Sequence, residues 1–154
     1  MERDPGAVKW GEFAAATPDL ARFGAGLLKG SPAFLATIRA DGRPRVHPVT
    51  PVITSAELFV FMEPTSPKAR DIRDRHWYAI HNGVPDDAGT GGEFHLLGRG
   101  TEVEDADVWT YAADAASYEP ANRYILFELL VSEARCNGYG DVALPEVKRW
   151  IAAG

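Results

Sequence analysis

Six short strand-like segments, joined by connections too short for repeated crossovers, constrain this chain more than any other feature. They are expected at residues 33–39, 45–54, 58–62, 77–82, 93–104 and 124–134. Asp41-Gly42 is a strong hairpin signal between the first two segments. Short connections make neighbouring strands antiparallel, whereas a doubly wound parallel sheet needs a helix at each crossover. The sequence therefore predicts a mainly β protein, a small six-stranded antiparallel barrel with flanking helices.

Three helices are predicted around these strands, each with a capping residue at its start. Thr17 can cap a helix over about 17–29, which ends at Gly30-Ser31-Pro32. Ser66 opens a short helix to about residue 75, and Asp105 caps one over about 106–117 that is expected to bury Val108 and Trp109. A tail from Pro145 has a short helical pattern in Val147, Trp150 and Ile151. Residues 1–154 are thus interpreted as one domain: an N-terminal helix, a barrel over about 33–135 and a C-terminal tail.

Charge and composition argue against several classes of protein. The formal net charge is -6, whereas nucleic-acid binders usually carry a basic surplus, so no nucleic-acid partner is expected. The single cysteine, Cys136, excludes an internal disulfide and fits a reducing cytosol. No apolar run approaches a membrane span, and Met1 to Pro5 are not followed by the apolar segment of a signal peptide. We therefore expect a cytoplasmic protein with no membrane partner, and the high use of Ala, Gly, Arg and Asp is compatible with a bacterial source.

The start of the second predicted helix departs from an electrostatic rule. Ser66 suits the N-cap and Pro67 the first helical position. A helix N-terminus prefers acidic side chains in its first turn, yet here the following residues include Lys68 and Arg70. The cations are explained if an anion such as phosphate binds the free backbone N–H groups there. A solvated basic helix end is the alternative interpretation.

The segment over 45–54 contains two prolines, Pro48 and Pro51. Because each proline removes a backbone donor, this strand cannot be paired on both sides throughout. It is expected to border an opening, where the side chains of Arg45, His47 and Thr50 could face a ligand. The alternative is an ordinary edge strand that proline protects against aggregation.

Six segments occur in a characteristic order and spacing: Ala33-Phe34-Leu35-Ala36-Thr37, Asp41-Gly42-Arg43-Pro44, Arg45-Val46-His47-Pro48-Val49, Leu58-Phe59-Val60-Phe61, Ser66-Pro67-Lys68-Ala69-Arg70-Asp71-Ile72-Arg73 and Tyr78-Ala79-Ile80-His81. Together they closely resemble the pyridoxamine 5'-phosphate oxidase-like family of flavin-binding split-barrel proteins. The resemblance covers roughly residues 20–105, with a looser match through Glu128 and Arg135. It implies a six-stranded antiparallel split barrel that forms a homodimer and binds FMN in clefts at the dimer interface.

The resemblance also implies which residues hold the cofactor. By position, Arg45, Val46, His47, Pro48 and Val49 would line the isoalloxazine ring and the ribityl chain. Ser66 and Lys68 match the family's phosphate-binding Ser and Lys, and Thr65 and Arg70 are plausible additions. Two features depart from authentic pyridoxamine phosphate oxidases. Met62-Glu63 stands where those enzymes have Thr-Asn, and the tail, with Arg135, Lys148, Arg149 and Trp150, lacks their Arg- and His-containing substrate motif.

The other residues that could carry chemistry give no second motif. His47, His76, His81 and His95 form no local ligand pair and Cys136 is alone, so no metal site is predicted. His81 and His95 lie on neighbouring predicted strands and could meet across a sheet, where two satisfied surface histidines are the expected outcome. No nucleophile elbow supports a Ser/His/Asp hydrolase.

Three functions follow. The first is an FMN-dependent oxidoreductase that is not a true pyridoxamine phosphate oxidase, with a small-molecule substrate stacked on the ring near His47 and the loop 83–92. The second is a reductase of the same fold that uses a deazaflavin coenzyme, whose longer tail would need a groove built from Arg43, Arg45, Lys68, Arg70 and Arg73. The third is a binding or storage protein without turnover. No catalytic acid or base is identified.

Overall fold

A computed structural model describes residues 6–29 and 31–154 of the chain. The four helices found there are α1 (Trp10–Ala16), α2 (Pro18–Leu28), α3 (Pro67–Arg75) and α4 (Ala106–Ala115). The eight strands are β1 (Ala33–Ile38), β2 (Pro44–Val49), β3 (Val52–Ile53), β4 (Leu58–Met62), β5 (Trp77–His81), β6 (Glu93–Val103), β7 (Ile125–Asn137) and β8 (Arg149–Ile151). The expectation about a signal peptide concerns Met1 to Pro5 and lies outside the described residues.

All eight strands belong to one antiparallel sheet, in the order β2-β1-β5-β6-β7-β4-β3, with β8 paired to β7. The two edges of this path, β2 and β3, are separated in the chain by only Thr50 and Pro51. Two edges joined by two residues must lie close together at one end, so the sheet curls round on itself. The mainly β, antiparallel split-barrel prediction is confirmed, although the strand count differs.

The number of strands differs because one predicted strand is divided into two and a predicted helix is a strand. The segment expected at 45–54 breaks at Thr50-Pro51, so that β2 pairs with β1 whereas β3 pairs with β4. The predicted helical tail is wrong: Arg149–Ile151 is a strand paired with β7, and the Trp150 ring packs against Phe13 at 5.2 Å between centroids. Tertiary packing against the barrel therefore overrides the local helical pattern.

The helices cover the barrel and are largely as predicted. The short helix α1, with buried Trp10 and Phe13, was not predicted. Helix α2 confirms the expected N-terminal helix, but the Thr17 side chain makes no capping hydrogen bond. Asp105 caps α4 as predicted, accepting from the N–H groups of Asp107 and Val108.

Val108 and Trp109 of α4 are half-buried rather than fully buried. They pack on a second, smaller hydrophobic cluster, in which the Trp109 and Phe61 rings lie 5.2 Å apart. The main core lies inside the curled sheet, below α1 and α2. In the described part of the chain, none of the helices is both long and apolar enough to cross a membrane.

The long strand β6 is irregular at Gly98. Its pairing with β7 changes register between Leu97 and Gly98. A Cβ at Gly98 would lie 1.8 Å from the Leu130 carbonyl oxygen, so only glycine fits at this point. The same carbonyl accepts a 2.9 Å hydrogen bond from the buried Tyr78 hydroxyl, and burial raises the pKa of Tyr78. The bend thus lets β6 and β7 wrap closely around the core.

Candidate anion and cofactor site

Helix α3 begins as the sequence predicts. Ser66 has extended backbone angles, and its hydroxyl oxygen accepts from the Ala69 N–H at 3.4 Å. Pro67 occupies the first turn, which contains no acidic residue. The Ser66 hydroxyl proton remains available to donate to a ligand. The helix therefore presents a positive end and one hydroxyl donor to the space beyond Ser66.

A buried carboxylate, that of Asp71, fixes α3 against the barrel. Its side chain is 4% exposed and accepts from the Thr37 hydroxyl at 2.7 Å and from Arg45 Nε at 2.8 Å. Its other oxygen accepts from Arg75 at 3.0 Å. Burial favours a higher pKa for Asp71, but the hydrogen bonds from Thr37 and Arg45 outweigh it, so that the pKa lies below its ordinary value. Sequence reasoning missed this residue, although its position in the first turns of α3 was visible.

The Asp71 network places part of β2 beside the start of α3. Thr37 of β1 lies directly opposite Arg45, so both reach the same carboxylate. Strand β2 is an edge strand, as its prolines predicted. Side chains alternate along it, and Arg45 and His47 share the face turned towards α3 with the buried Val49. The structure therefore brings Arg45 and His47 to the same side of the sheet as Ser66 and Lys68.

The same alternation separates two predicted residues from that group. Val46 and Pro48 belong to the opposite, exposed face of β2. Val46 is 61% exposed. These two residues can meet a cofactor only where it extends along the free edge or the outer face of β2.

Positive charge accumulates around His47. Burial, the Lys68 ammonium and the Arg45 guanidinium lower the pKa of His47, against the opposing effect of Asp71. Burial also lowers the pKa of Lys68, with Glu63 acting in the opposite direction. Within residues 6–29 and 31–154, the buried Nε2 atom of His47 has no hydrogen-bond partner. A buried polar atom without a partner is costly unless a ligand satisfies it.

A cavity of about 260 Å³ opens beside α3. Arg45, Pro67 and Arg70 line it, so the structure brings the predicted Arg70 close to Arg45. The remaining lining is a mixture of acidic and basic residues with one alanine: Arg39, Ala40, Asp41, Asp71, Asp74 and Arg75. Thr65 is exposed and is not part of this lining, and neither are Ser66, Lys68 and His47. The cavity therefore borders the start of α3 at Pro67 and does not enclose the predicted phosphate-binding pair Ser66 and Lys68.

The carboxylate of Glu63, close to the site in the sequence, forms an ion pair with Arg123. Glu63 binds the Arg123 guanidinium through both of its oxygens, and Arg123 Nε lies 2.8 Å from Oε1. This hydrogen bond lowers the pKa of Glu63. Glu63 belongs to the Met62-Glu63 pair, which stands where authentic pyridoxamine phosphate oxidases have Thr-Asn. Its pairing with Arg123 reduces the negative charge that it directs at Lys68.

The outer face of the sheet carries exposed apolar side chains in register. Val46, Ala36, Ala79 and Leu97 form one row across four strands. Val46 and Leu97 are both exposed, as is Phe34 on the neighbouring row of β1, at 47%. An apolar surface continuous over several strands is typical of a face that another molecule covers.

The fold and this site define a class: a curled antiparallel split barrel in which a helix start with two nearby cations, Lys68 and Arg70, lies beside an edge strand. A family model described as pyridoxamine 5'-phosphate oxidase matches residues 24–135. The chain belongs to this family, which confirms the resemblance seen in the sequence. A search of curated proteins found no match.

Solved structures show the same fold. The heme-binding protein of Mycobacterium smegmatis is 17% identical, with a TM-score of 0.65 over 84% of this chain and 57% of that one. The heme storage protein HutZ of Vibrio cholerae is 18% identical, with a TM-score of 0.59 over 80% and 96%. A candidate pyridoxamine 5'-phosphate oxidase of Listeria innocua is 15% identical, with a TM-score of 0.59 over 76% and 96%. At these identities the likeness concerns the fold alone.

Proposed function

We propose that this chain is an FMN-binding oxidoreductase of the pyridoxamine 5'-phosphate oxidase family. The observation that carries the proposal is the arrangement at the start of α3. Ser66 opens the helix, Arg45 is bound to Asp71 of the same helix, and Lys68 and Arg45 both act on His47, whose Nε2 atom has no partner. A phosphate at this point gains from the helix dipole, from first-turn N–H groups and from two cations. The residues present therefore fit the phosphate end of FMN.

Arg45 is suited to hold a phosphate because only part of its guanidinium is used. Asp71 takes the Nε donor, which leaves the terminal nitrogens for a ligand and fixes the plane of the group. Lys68 is half-buried and makes no direct ion pair in the described part of the chain. A ligand phosphate supplies the counter-charge that a partly buried ammonium otherwise lacks.

The size of the cavity supports a cofactor that is only partly enclosed by one chain. About 260 Å³ is below the roughly 300–1,000 Å³ of pockets for drug-sized ligands. Ser66, Lys68 and His47 do not line this cavity, so the phosphate would lie at its margin, beside Pro67 and Arg45. The ring would then extend along the free edge of β2. Val46 and Pro48, on the outer face, would then contact the edge of the ring, and so would the buried Val49.

A second copy of the chain is the proposed cover for the ring. The apolar row from Val46 to Leu97 offers a self-complementary face, and a homodimer built on it would place the cofactor at the interface. Bound FMN supplies hydride or electron transfer at its ring. The chain's own residues bind the phosphate, orient the ring and exclude water. His47, neutral at pH 7 because its pKa is lowered, offers Nε2 to the ring or to a small-molecule substrate.

Pyridoxamine 5'-phosphate itself is not the proposed substrate. The tail residue Arg149 binds Glu133 at 3.0 Å, and Arg135 lies 3.6 Å from the same carboxylate. These cations are therefore engaged with one acid rather than directed at a substrate phosphate.

The deazaflavin alternative has weaker support. Its longer phosphodiester tail needs a basic groove, yet Arg43 pairs with Asp41 and Arg73 with Glu102. Storage without turnover is the third possibility, and two structural relatives are described as heme-binding or heme-storing. Both alternatives become outcomes of the experiment below.

The test is the absorption spectrum of the purified chain, with mass spectrometry of the supernatant after heat release. Flavin absorption bands and an FMN mass are expected, and reduction of the bound flavin by NADH or NADPH would support an oxidoreductase. Flavin that is retained but not reduced by either donor would favour storage. Uptake of a deazaflavin coenzyme but not of FMN would overturn the FMN assignment in favour of the deazaflavin reductase. A colourless protein that takes up neither, or that takes up heme in their place, would overturn the proposal.

A further inference from the structure

Three ligand-type side chains meet on the outer face of the sheet, away from the α3 cavity. His81 of β5 and His95 of β6 are cross-strand partners, with their rings 4.5 Å apart. Glu93 lies two residues before His95 on the same face of β6. One ligand atom from each of His81, Glu93 and His95 lies within 4.8 Å of the other two. The sequence indicated that the histidines could meet, but it did not indicate that Glu93 would join them.

The distances suit a small cation. His81 Nε2 lies 2.9 Å from Glu93 Oε2, and His95 Nε2 lies 3.8 Å from Glu93 Oε1. Ligands at about 2.0–2.2 Å from a tetrahedral ion are separated by roughly 3.3 Å. The three side chains therefore need to move by only about one ångström to coordinate one ion.

The backbone around Glu93 is held on both sides. The Asn82 side chain accepts from the Phe94 N–H at 2.8 Å and donates to the Gly92 carbonyl at 3.3 Å. The Tyr139 hydroxyl donates to Glu93 Oε1 at 3.2 Å. Partners of this kind orient a ligating carboxylate before the metal arrives. Glu93 and Tyr139 also line a cavity of about 500 Å³ beside the loop 84–89.

His81 carries a proton where an ion would bind. The Gly83 N–H donates to its Nδ1 at 2.8 Å, which leaves the proton on Nε2, facing Glu93. Coordination through Nε2 moves that proton to Nδ1 and breaks the Gly83 hydrogen bond. Strand β5 ends at His81, so the hydrogen bond that would be lost lies outside the pairing of the sheet. The His81–Glu93 hydrogen bond is thus the metal-free form of the same cluster.

We propose that His81, Glu93 and His95 form a binding site for a divalent transition metal ion of the zinc type. Two imidazoles and one carboxylate match the preference of zinc for nitrogen and oxygen donors. Three protein ligands leave one coordination position for water or a small anion. The cluster lies outside the α3 cavity, on the row next to the apolar row that the proposed dimer would cover, and its test does not depend on flavin binding.

The test is a calorimetric titration of the tag-free, full-length chain with zinc chloride. Zinc is expected to bind at one ion per chain with a micromolar or tighter Kd. His95→Gln and Glu93→Gln should each raise that Kd by at least about tenfold, since even outer partners of a metal site contribute this much. Glu133→Gln is the matched control, because Glu133 lies on the neighbouring strand opposite Leu97 and is not a ligand.

A second pair of measurements distinguishes a variant that has lost metal binding from one that has failed to fold. Bound Co²⁺ should give the visible absorption of a tetrahedral ion in the wild type and in Glu133→Gln, but not in His95→Gln. Far-ultraviolet circular dichroism confirms that each variant retains its sheet. Millimolar zinc binding in the wild type, or an unchanged Kd in folded His95→Gln and Glu93→Gln, would overturn the proposal. Flavin content, measured on the same samples, leaves the proposed oxidoreductase function to be judged separately.

Discussion

Asp71 of α3 and Arg45 of β2 are joined by a 2.8 Å contact between Oδ2 and Nε. Asp71 is buried, whereas about a quarter of the Arg45 side chain remains exposed. One end of the pair is therefore part of the core and the other reaches the candidate anion site. This relationship links the stability of the barrel to the geometry of ligand binding.

Asp71→Asn should destabilise the fold. The amide keeps the shape of the carboxylate but leaves Arg45 and Arg75 without their counter-charge. Removing one partner of a buried pair costs about 3–5 kcal/mol. We expect about 2–3 kcal/mol, because both arginines are partly exposed. Urea unfolding measures the change, and a loss below about 0.5 kcal/mol, as at an ordinary surface position, would contradict the role given to Asp71.

The contribution of Asp71 should depend on pH with a defined sign. Its folded-state pKa lies below the ordinary value of 3.8, so its stabilising effect is complete above that value and is lost as the pH falls through the folded-state pKa. The difference in unfolding free energy between wild type and Asp71→Asn should be constant from about pH 5 to pH 7 and should shrink below about pH 4. A difference that grows on acidification would show the opposite sign and refute the assignment.

Lys68→Ala should weaken FMN binding by about 1–3 kcal/mol, the range for a hydrogen bond to a charged group. Arg45→Ala should act in the same direction. If both hold one phosphate, the loss in the double variant should differ from the sum of the single losses. Fluorescence titration of the apoprotein with FMN gives the three values.

Lys148→Ala is the control for this cycle, because Lys148 is exposed and remote from α3 in the sequence. It should leave the FMN Kd unchanged. Equal affinities of Lys68→Ala and Lys148→Ala would remove Lys68 from the phosphate site.

Val46→Glu should dissociate the proposed dimer. Val46 is 61% exposed in the isolated chain, and burial of a valine is worth about 1.5–3 kcal/mol. The dimer dissociation constant should therefore rise at least about tenfold. Sedimentation velocity over a range of concentrations measures it, and Val147→Glu, at another exposed valine, should have no effect. A wild-type chain that stays monomeric throughout would contradict the dimer.

Two glycines should respond in opposite ways to a methyl group. Gly98→Ala forces a Cβ against the Leu130 carbonyl oxygen and should destabilise by more than about 2 kcal/mol, as overpacking does. Gly26 lies in α2, and in the described part of the chain a Cβ added there would meet nothing within 4 Å apart from its chain neighbours and the backbone of its own helix. Gly26→Ala should therefore stabilise by about 0.5–1 kcal/mol. Thermal unfolding of the two variants distinguishes them, and shifts of the same sign would be inconsistent with the close approach at Gly98.

The fold could be predicted largely because its signals are local. Asp41-Gly42 marks a tight turn, Ser66-Pro67 marks a helix start, and the prolines of β2 mark an edge. The helix α1 and the strand β8 could not be predicted, because their structure depends on contacts between distant segments. Trp150, for example, is placed by Phe13 and by pairing with β7.

The candidate site was predictable in type but not in its supporting contacts. The pattern around Ser66 and Lys68 indicates an anion without any knowledge of the fold. Asp71 and Thr37 are 34 positions apart, so no spacing rule could have joined them. The run from Arg45 to Val49 was predicted as one lining, whereas strand alternation divides it between two faces.

The position of β7 in the sheet has a consequence for synthesis of the chain. β4 is buried along all five of its residues, and it pairs with β7, whose first residue follows Met62 by 63 positions. At about 5–20 residues per second, the ribosome needs several seconds to deliver that partner. During this interval one edge of an apolar Leu-Phe-Val-Phe-Met segment stays open to other nascent chains. Truncation before Ile125 should consequently yield aggregates rather than a smaller folded domain.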